Sequence, residues 1–356
     1  MRRFLSAAAL MFSAAAAISL SQRINAAEPV VPGTGSFLQD CCDDFENEKW
    51  SYKYNLPKSS YEQDESQRGP GGMSNNGLWH EGGKRGTPDV VKRVLTPPGG
   101  IEGSAGALMF QTKNSGVPGK YSNSQMQDDL LMMCNRRLGR SISPSWQPQC
   151  TVRVFLPEWE KWEQRNGPSF GMRADCKGKN PDGTIEDYWP GMFILYHKKT
   201  NKEGDETYAQ VTVRGDRMGH DVRSLKLSAP GWATLGMSFT PDGQIHYYGH
   251  EGVADLTKDD FLMSSFPYSM KCTTFNNFFF NVANWDTGHT WSTPWVIDDP
   301  KIYVIPPAGQ TVAQLYNIKK KPQMKQNQQQ VTKKNSLQQP ESESRSASAS
   351  RSGTSR

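Results

Sequence analysis

Gln244 and His246 stand two positions apart in the stretch TPDGQIHYYG (240–249), and side chains of these types can do acid–base chemistry. Histidine titrates near neutral pH, and a neighbouring amide can neutralise a carboxylate in a substrate. If the segment is a β-strand, Gln244, His246 and Tyr248 share one face, opposite the apolar alternates. We therefore predict that these three side chains lie on an exposed sheet face.

Other β-rich runs place further polar and aromatic side chains at the same alternate positions. Planar donors and acceptors bind sugar hydroxyls, and aromatic rings cover the apolar faces of pyranoses. We therefore predict a carbohydrate site; the alternative is the ordinary polar surface of a β-protein. The candidate catalytic residues are His246, Tyr248 and Arg214. The candidate substrate-binding residues are Arg173, Gln210, Gln244, Asn281 and Trp285.

The elements that must position these residues are short strands separated by turns. In the first stretch, Pro241 fixes φ, Asp242 can bond its own backbone, and Gly243 tolerates the left-handed conformation that closes a hairpin. The preceding run places three apolar side chains on one face, which we expect in the core. They are Leu235, Met237 and Phe239.

Nine β-rich runs bounded by turn residues predict an all-β domain, a β-sandwich or jelly roll of two curved antiparallel sheets with loop-rich insertions. Short helical turns are expected at 157–165 and at 256–263, where Thr257 and Asp260 can form a cap. The nine runs are 107–112, 150–156, 169–174, 191–197, 207–215, 232–240, 244–249, 275–285 and 295–305.

Two segments resemble a known superfamily. GWATLGMSFTPDGQIHYYG and WSTPWVIDDPKIYV are similar to a hairpin and the closing strand of concanavalin A-like lectins and glucanases. The resemblance covers residues 150–305, and residues 37–149 more loosely. It implies the jelly-roll fold, with carbohydrate on the concave face, and marks fold rather than activity.

A polysaccharide lyase is one enzymatic alternative. Gln244-Ile245-His246 resembles the Gln-Ile-His motif of alginate lyases with this fold, which implies that Gln244 helps to neutralise a uronate carboxylate and that His246 is the base. The family's Arg-Glu motif and its Lys-rich late strand have no counterpart here.

Glycoside hydrolysis is the other enzymatic alternative, and it needs two facing carboxyl groups. The adjacent acids Glu186 and Asp187, like Asp298 and Asp299, would point to opposite faces of a strand, which disfavours a glucanase of the family 16 type. We therefore predict a polysaccharide-binding or polysaccharide-processing protein, with binding ahead of catalysis. A structural cell-envelope protein is the second alternative.

Both ends of the chain differ from its middle. Two arginines, an apolar run from Phe4 to Leu20 and small residues at Ala26 and Ala27 predict a signal peptide (1–26), cleaved after one of those alanines. We therefore expect a secreted or periplasmic protein with a domain at 27–307. The Gln- and Ser-rich segment 308–356 has little to bury and is expected to be disordered.

The charge is divided unevenly along the chain. The formal net charge is +5, but the tail contributes +7 and the signal peptide +3, which leaves about −5 for residues 27–307. The domain is therefore not expected to bind nucleic acid, whereas the basic tail could contact anionic envelope polymers.

Six cysteines in an exported chain predict disulfides, and Cys134 with Cys150 is the favoured pair; the others are Cys41, Cys42, Cys176 and Cys272. No compact zinc motif is present, and no cofactor is expected. The loops 178–187 and 284–289 combine Asp, Asn and Gly, so calcium stays an open alternative. Phosphate-loop, dinucleotide and hydrolase-elbow motifs are absent from the sequence.

Overall fold

The computed structural model of the protein describes residues 27–65 and 71–316, and these ranges contain eighteen strands and two short α-helices. In chain order the strands are β1 (Ser36–Cys42), β2 (Tyr52–Lys53), β3 (Met73–Ser74), β4 (Trp79–Glu81), β5 (Val90–Val94), β6 (Ala107–Gln111), β7 (Gln125–Met132), β8 (Gln149–Leu156), β9 (Gly167–Lys179), β10 (Ile185–Tyr188), β11 (Gly191–His197), β12 (Tyr208–Arg214), β13 (Asp221–Leu227), β14 (Gly231–Phe239), β15 (Ile245–Glu251), β16 (Phe261–Ser265), β17 (Lys271–Trp285) and β18 (Trp295–Val304). The helices are α1 (Tyr61–Asp64) and α2 (Cys134–Leu138), and single 3₁₀ turns occupy Pro144–Trp146, Trp159–Lys161, Lys258–Asp260, Pro267–Ser269 and Val312–Gln314.

The strands form two antiparallel sheets. The eight-stranded sheet has the order β16-β15-β14-β8-β18-β6-β5, and β1 pairs with β18 as well. The ten-stranded sheet has the order β13-β12-β11-β9-β17-β7-β4-β3-β2, with β10 on β9. The predicted all-β sandwich of two antiparallel sheets is confirmed.

Aromatic rings from both sheets meet in the core between them. Phe110 and Trp295 come from the eight-stranded sheet, and Phe170 and Phe280 come from the ten-stranded sheet. Their ring centroids lie 4.9 Å apart for Phe170 and Trp295 and 6.0 Å apart for Phe110 and Phe280. All four side chains are buried. Burial of each is worth about 1.5–3 kcal/mol, so this cluster ties the two layers together.

Each of the nine predicted runs forms a strand, and the alternation in the hairpin is confirmed on its apolar side. Leu235, Met237 and Phe239 on β14 are fully buried in the core, as predicted. The two expected helical turns are 3₁₀ turns, and the second carries the predicted capping box of Thr257 and Asp260. The Pro-Asp-Gly turn closes the hairpin through the Gly243 N–H, which donates to the Thr240 carbonyl at 2.9 Å.

The segment 27–35, here called the N-terminal segment, lies on the outer face of the eight-stranded sheet. The Val30 carbonyl accepts a hydrogen bond from the Ser238 hydroxyl on β14. The amides of Gly33 and Gly35 donate to Gln149 Oε1 at 3.0 and 3.2 Å. This face of the sheet is therefore covered by the chain itself.

The structure describes only part of the two segments that flank the predicted domain. Residues 308–316 of the predicted tail are described, and Leu315 among them is buried against the core. The signal peptide and the remainder of the tail lie outside the described residues. Within the described ranges, no helix combines the length and the apolar character that a membrane span requires.

Candidate functional site

A groove crosses the outer face of the ten-stranded sheet, which points away from the eight-stranded sheet. It consists of two adjoining cavities of about 240 and 150 Å³ that share the side chains of Arg85 and Arg173. We call it the arginine groove. The first cavity is lined by Glu62, Arg85, Gln125, Met126, Gln127, Pro168, Arg173, Phe193 and Arg214. The second is lined by Gly82, Gly83, Lys84, Arg85, Asp129, Leu131, Arg173, Asp175, Trp189 and Phe279.

The alternation along β17 and β9 builds the floor of this groove. On β17, Phe278 and Phe280 enter the core, so Phe279 and Asn281 must face outward. Register places Arg173 of β9 opposite Phe279, and Gly171 opposite Asn281. A Cβ on Gly171 would come within 2.9 Å of Asn281 Oδ1 and 3.0 Å of the Phe193 ring. A larger residue at this point of the floor would therefore displace the Asn281 amide or the Phe193 ring.

Arg173 is the central residue of the groove. It is 4% exposed, and its Nε and Nη2 donate to the Trp189 carbonyl at 3.1 and 2.8 Å. Burial and then the charge of Arg85 lower the pKa of Arg173 to about 10. Among the ion pairs of the described residues none includes Arg173, so its positive charge has no carboxylate in direct contact. It remains protonated at neutral pH and can bind an anion.

Two further arginines flank Arg173. Arg214 makes a bidentate ion pair with Asp221 at 2.9 and 3.3 Å, and its guanidinium lies 4.6 Å from the centre of the Phe193 ring. Arg85 pairs with Glu62 at 3.2 Å. These two charges are partly neutralised, so Arg173 is the strongest anion-binding group in the groove.

A carboxyl group and an amide form a buried pair beside Arg173. Asp129 is 7% exposed, and its Oδ1 accepts from Asn281 Nδ2 at 2.5 Å. Burial raises the pKa of Asp129, and the charges of Arg85 and Arg173 oppose that rise. Asn281 Oδ1 is buried without a hydrogen-bond partner among the described residues. This oxygen therefore keeps an unused hydrogen-bonding capacity beneath the groove.

Aromatic rings complete the groove. The Arg173 guanidinium lies 5.6 Å from the ring centres of both Phe193 and Phe279. Lys84 Nζ lies 4.4 Å from the centre of the Trp189 ring. Guanidinium groups that bind anions, side chains that bond hydroxyls and apolar ring faces are thus combined on one surface, and sugars with acidic groups present the matching features.

Five of the eight predicted site residues lie on this face of the ten-stranded sheet. Arg173 and Arg214 line the groove, and Asn281 holds Asp129 in it. Gln210 lies on the same face of β12 and donates to the Leu225 carbonyl at 2.9 Å. Trp285, 42% exposed, ends β17 opposite Gln125, a lining residue. The roles given to these residues stay predictions.

The other three predicted site residues, Gln244, His246 and Tyr248, lie in or beside β15 of the eight-stranded sheet. His246 and Tyr248 are 0% and 1% exposed, so the prediction that they lie on an exposed face is wrong. The chain itself covers them. Gly236 opposite Tyr248 packs so closely under Pro32 and Leu256 that an added Cβ would clash. The hairpin pattern reveals which side a residue faces, but not that another segment lies on it.

His246 is held by two hydroxyl groups. Its Nε2 lies 2.9 Å from Thr240 Oγ1, and its Nδ1 lies 2.6 Å from Ser264 Oγ. Burial lowers the pKa of His246 to about 4, while the charge of Asp242 acts in the opposite direction. The ring is therefore neutral at physiological pH, and it joins the hairpin to β16.

Titration of His246 is expected to weaken the fold in acid. Because its pKa is lower in the folded chain than the ordinary 6.5, the unfolded chain takes up the proton first, and stability falls as the pH drops from about 6.5 to about 4. The expected loss from this group is on the order of 3 kcal/mol. Urea unfolding at pH 7 and pH 4.5 measures it. H246Q should show a smaller difference, and an equal difference would contradict this pKa.

Four groove residues were not predicted, namely Glu62, Lys84, Arg85 and Asp129. Glu62 and Arg85 come from the loop-rich region 51–105, where no periodicity indicates a position. Asp129 lies on β7, which was not predicted as a strand. Its run QMQDDLLM (125–132) carries polar residues on one face, and this alternation was the available signal.

In the described ranges, no group of three or more His, Cys, Asp or Glu side chains is arranged to hold a metal ion. Comparisons with known proteins give no family. No protein-family model matches the chain, and no curated protein matches it significantly.

The search of solved structures finds distant similarities. A carbohydrate esterase of the Shiga toxin-encoding bacteriophage phi24B is 10% identical and covers 70% of this chain and 97% of its own, with a TM-score of 0.38. A marine alginate lyase of Zobellia galactanivorans is 12% identical (59% and 83% covered, TM-score 0.33). A β-glucanase domain of Podospora anserina is 8% identical (63% and 82% covered, TM-score 0.35). TM-scores below 0.5 do not establish a common fold. The β-sandwich is shown by the strand pairing within this chain.

Proposed function

We propose that the protein binds an acidic polysaccharide, one whose sugar residues carry carboxylates, in the arginine groove. The observation that carries the proposal is the buried guanidinium of Arg173, which faces the groove without a carboxylate in direct contact. A ligand carboxylate supplies the missing negative charge and makes charge-assisted hydrogen bonds. Water is partly excluded at this depth, which strengthens the attraction.

The neighbours of Arg173 suit the rest of a sugar. The carboxylates of Asp129 and Glu62 line the groove and can accept from hydroxyl groups, and the rings of Phe193 and Phe279 offer apolar faces. Because this groove contains both charges and rings, a neutral glucan would satisfy only part of it. Specificity for acidic chains follows from that difference.

Binding is favoured over catalysis within this proposal. A lyase needs a proton acceptor at the substrate, and the candidate base His246 is buried in the opposite sheet with both ring nitrogens hydrogen-bonded. A glycosidase needs two facing carboxyl groups, and Asp129 is already bonded to Asn281.

Affinity electrophoresis of the purified protein in gels with polyuronate or neutral glucan tests the proposal. We expect retardation only by the polyuronate, and weaker retardation at high salt because the interaction is electrostatic. Equal retardation by both polymers, or none by either, would contradict it. Ultraviolet absorbance of unsaturated ends and a reducing-sugar assay on the same mixtures report catalysis, which we expect to be absent.

We also propose export through an oxidising compartment and a disulfide pairing that differs from Cys134–Cys150. All six cysteines are free thiols in the structure. The Cys41 thiol lies 3.8 Å from the carbonyl oxygen of Cys134, and burial, then the neighbouring Cys41 thiol, raises the pKa of Cys134. Burial, then the neighbouring Cys272 thiol, likewise raises the pKa of Cys176, and these two residues lie on the paired strands β9 and β17. A disulfide forms most readily between sulfurs that are already adjacent.

Non-reducing peptide mapping of the exported protein measures this pairing. We expect Cys41–Cys134 and Cys176–Cys272 peptides, with Cys42 and Cys150 alkylated as free thiols. C41S should release a free Cys134, and C42S serves as the matched control that changes neither link. A Cys134–Cys150 peptide, or six free thiols in exported protein, would contradict the pairing.

A further inference from the structure

The first described residue of the chain contacts the hairpin turn of the eight-stranded sheet. The backbone nitrogen of Ala27 lies 3.3 Å from Asp242 Oδ2. The other carboxylate oxygen, Oδ1, accepts from the Thr240 hydroxyl at 2.6 Å and from the Gln244 amide at 3.1 Å. One oxygen of Asp242 thus holds the turn, and the other is directed at Ala27.

The contact is set by a fixed segment rather than by a free end. Val30 is bound through its carbonyl to Ser238, and the amides of Gly33 and Gly35 are bound to Gln149. These anchors fix the path of the N-terminal segment within three residues of Ala27. They therefore hold the nitrogen of Ala27 beside Asp242.

We propose that the chain is cut between Ala26 and Ala27 by an export peptidase, and that the new α-ammonium group of Ala27 binds the carboxylate of Asp242. Water adds across the peptide bond, so Ala26 leaves as a carboxylate and the nitrogen of Ala27 becomes the amine, which is protonated at neutral pH. The peptide N–H is a single neutral donor, whereas the ammonium offers three charged donors to the same oxygen. Cleavage after Ala27 would remove the atom that makes this contact.

The charges around the turn favour an ammonium group. Burial tends to raise the pKa of Asp242, but hydrogen bonds from Thr240, Gln244 and Ala27 outweigh it and hold that pKa below the ordinary value. The carboxylate is therefore ionised at neutral pH. His246 stands behind Thr240 as a neutral ring, so it does not compete for the negative charge.

N-terminal sequencing and intact mass of the exported protein test the cleavage, and Ala27 is the expected first residue. For the contact, D242N is compared with wild type by urea unfolding. The substitution keeps the oxygen that holds the turn and removes the charge. We expect it to raise the equilibrium constant of unfolding by about threefold to tenfold, because the folded chain loses a charged contact.

The control converts the α-amine selectively to a ketone by transamination, which leaves every lysine intact. In that form D242N should have little further effect. A first residue other than Ala27, or an equal effect of D242N before and after transamination, would overturn the proposal. Both readouts are independent of sugar binding.

Discussion

Replacing Arg173 with methionine is expected to weaken the binding of an acidic polysaccharide by about 30-fold or more while leaving the fold as stable as before. The loss of affinity follows from removing a buried charge that has a carboxylate in direct contact only when the ligand is present, an effect of about 2–5 kcal/mol. The unchanged stability follows from the same charge, because its lowered pKa reflects the cost of burying a guanidinium group in the free protein. Relief of that cost offsets the two lost bonds to the Trp189 carbonyl.

Arg153 provides the matched control, because it is a buried arginine of the other sheet. It is 5% exposed and pairs with Asp299 at 3.2 Å and with Asp255. R153M leaves the carboxylates of Asp299 and Asp255 without this arginine. We therefore expect it to lower the free energy of unfolding by about 1–3 kcal/mol and to leave the affinity for polysaccharide unchanged. Isothermal titration and urea unfolding of both variants measure the contrast. Equal losses of affinity in the two variants would contradict the site.

Replacing Lys58 with methionine is expected to destabilise the protein by about 3–5 kcal/mol at pH 8. Lys58 Nζ lies 2.7 Å from Asp128 Oδ2, and both side chains are buried. Burial raises the pKa of Asp128 to about 7 even with this ammonium beside it. At pH 8 the folded variant must therefore either keep a buried carboxylate without its cation or take up a proton, and both cost free energy. Urea unfolding measures the loss.

The effect of K58M should depend on pH with a definite sign. Because the pKa of Asp128 is raised in the folded chain, its protonated form favours folding, and that stability is lost as the pH rises through about 7. Without the ammonium the pKa rises further, so the variant should be penalised more at pH 8 than at pH 5. The double variant K58M/D128N should recover most of the loss. Additive effects of the two substitutions would contradict a coupled pair.

The Lys58 pair also supports the groove. Lys58 additionally donates to the Asn114 carbonyl, and Gln63 Oε1 accepts from the Val117 amide at 2.5 Å. These bonds join the segment that carries Glu62 to the loop 113–117. K58M should therefore also weaken sugar binding, although less than R173M does, since no lining charge is removed.

The strands were predictable because the residues that enter the core alternate regularly with those that do not. Runs such as GMFILYH and FNNFFFNVANW indicate both the element and the outward side chains, and this is why Arg173, Arg214 and Asn281 could be chosen before their positions were known. The choice depended only on period two, which the antiparallel ladder enforces.

The site as a whole was less predictable because its walls come from long-range contacts. Arg85 reaches the groove from a loop, and Gly82 of the same region packs directly against Asp129. His246 was misplaced for a related reason: the N-terminal segment returns to cover the outer face of β14 and β15. Local patterns carry no information about which distant segment covers a face.

A crystal structure of the protein with a short oligouronate shows directly whether the arginine groove binds acidic sugars. We expect a sugar carboxylate within hydrogen-bonding distance of the Arg173 guanidinium, and a ring of the oligomer against Phe193 or Phe279. An oligouronate bound on the outer face of the eight-stranded sheet, or an arginine groove without sugar at saturating concentration, would contradict it.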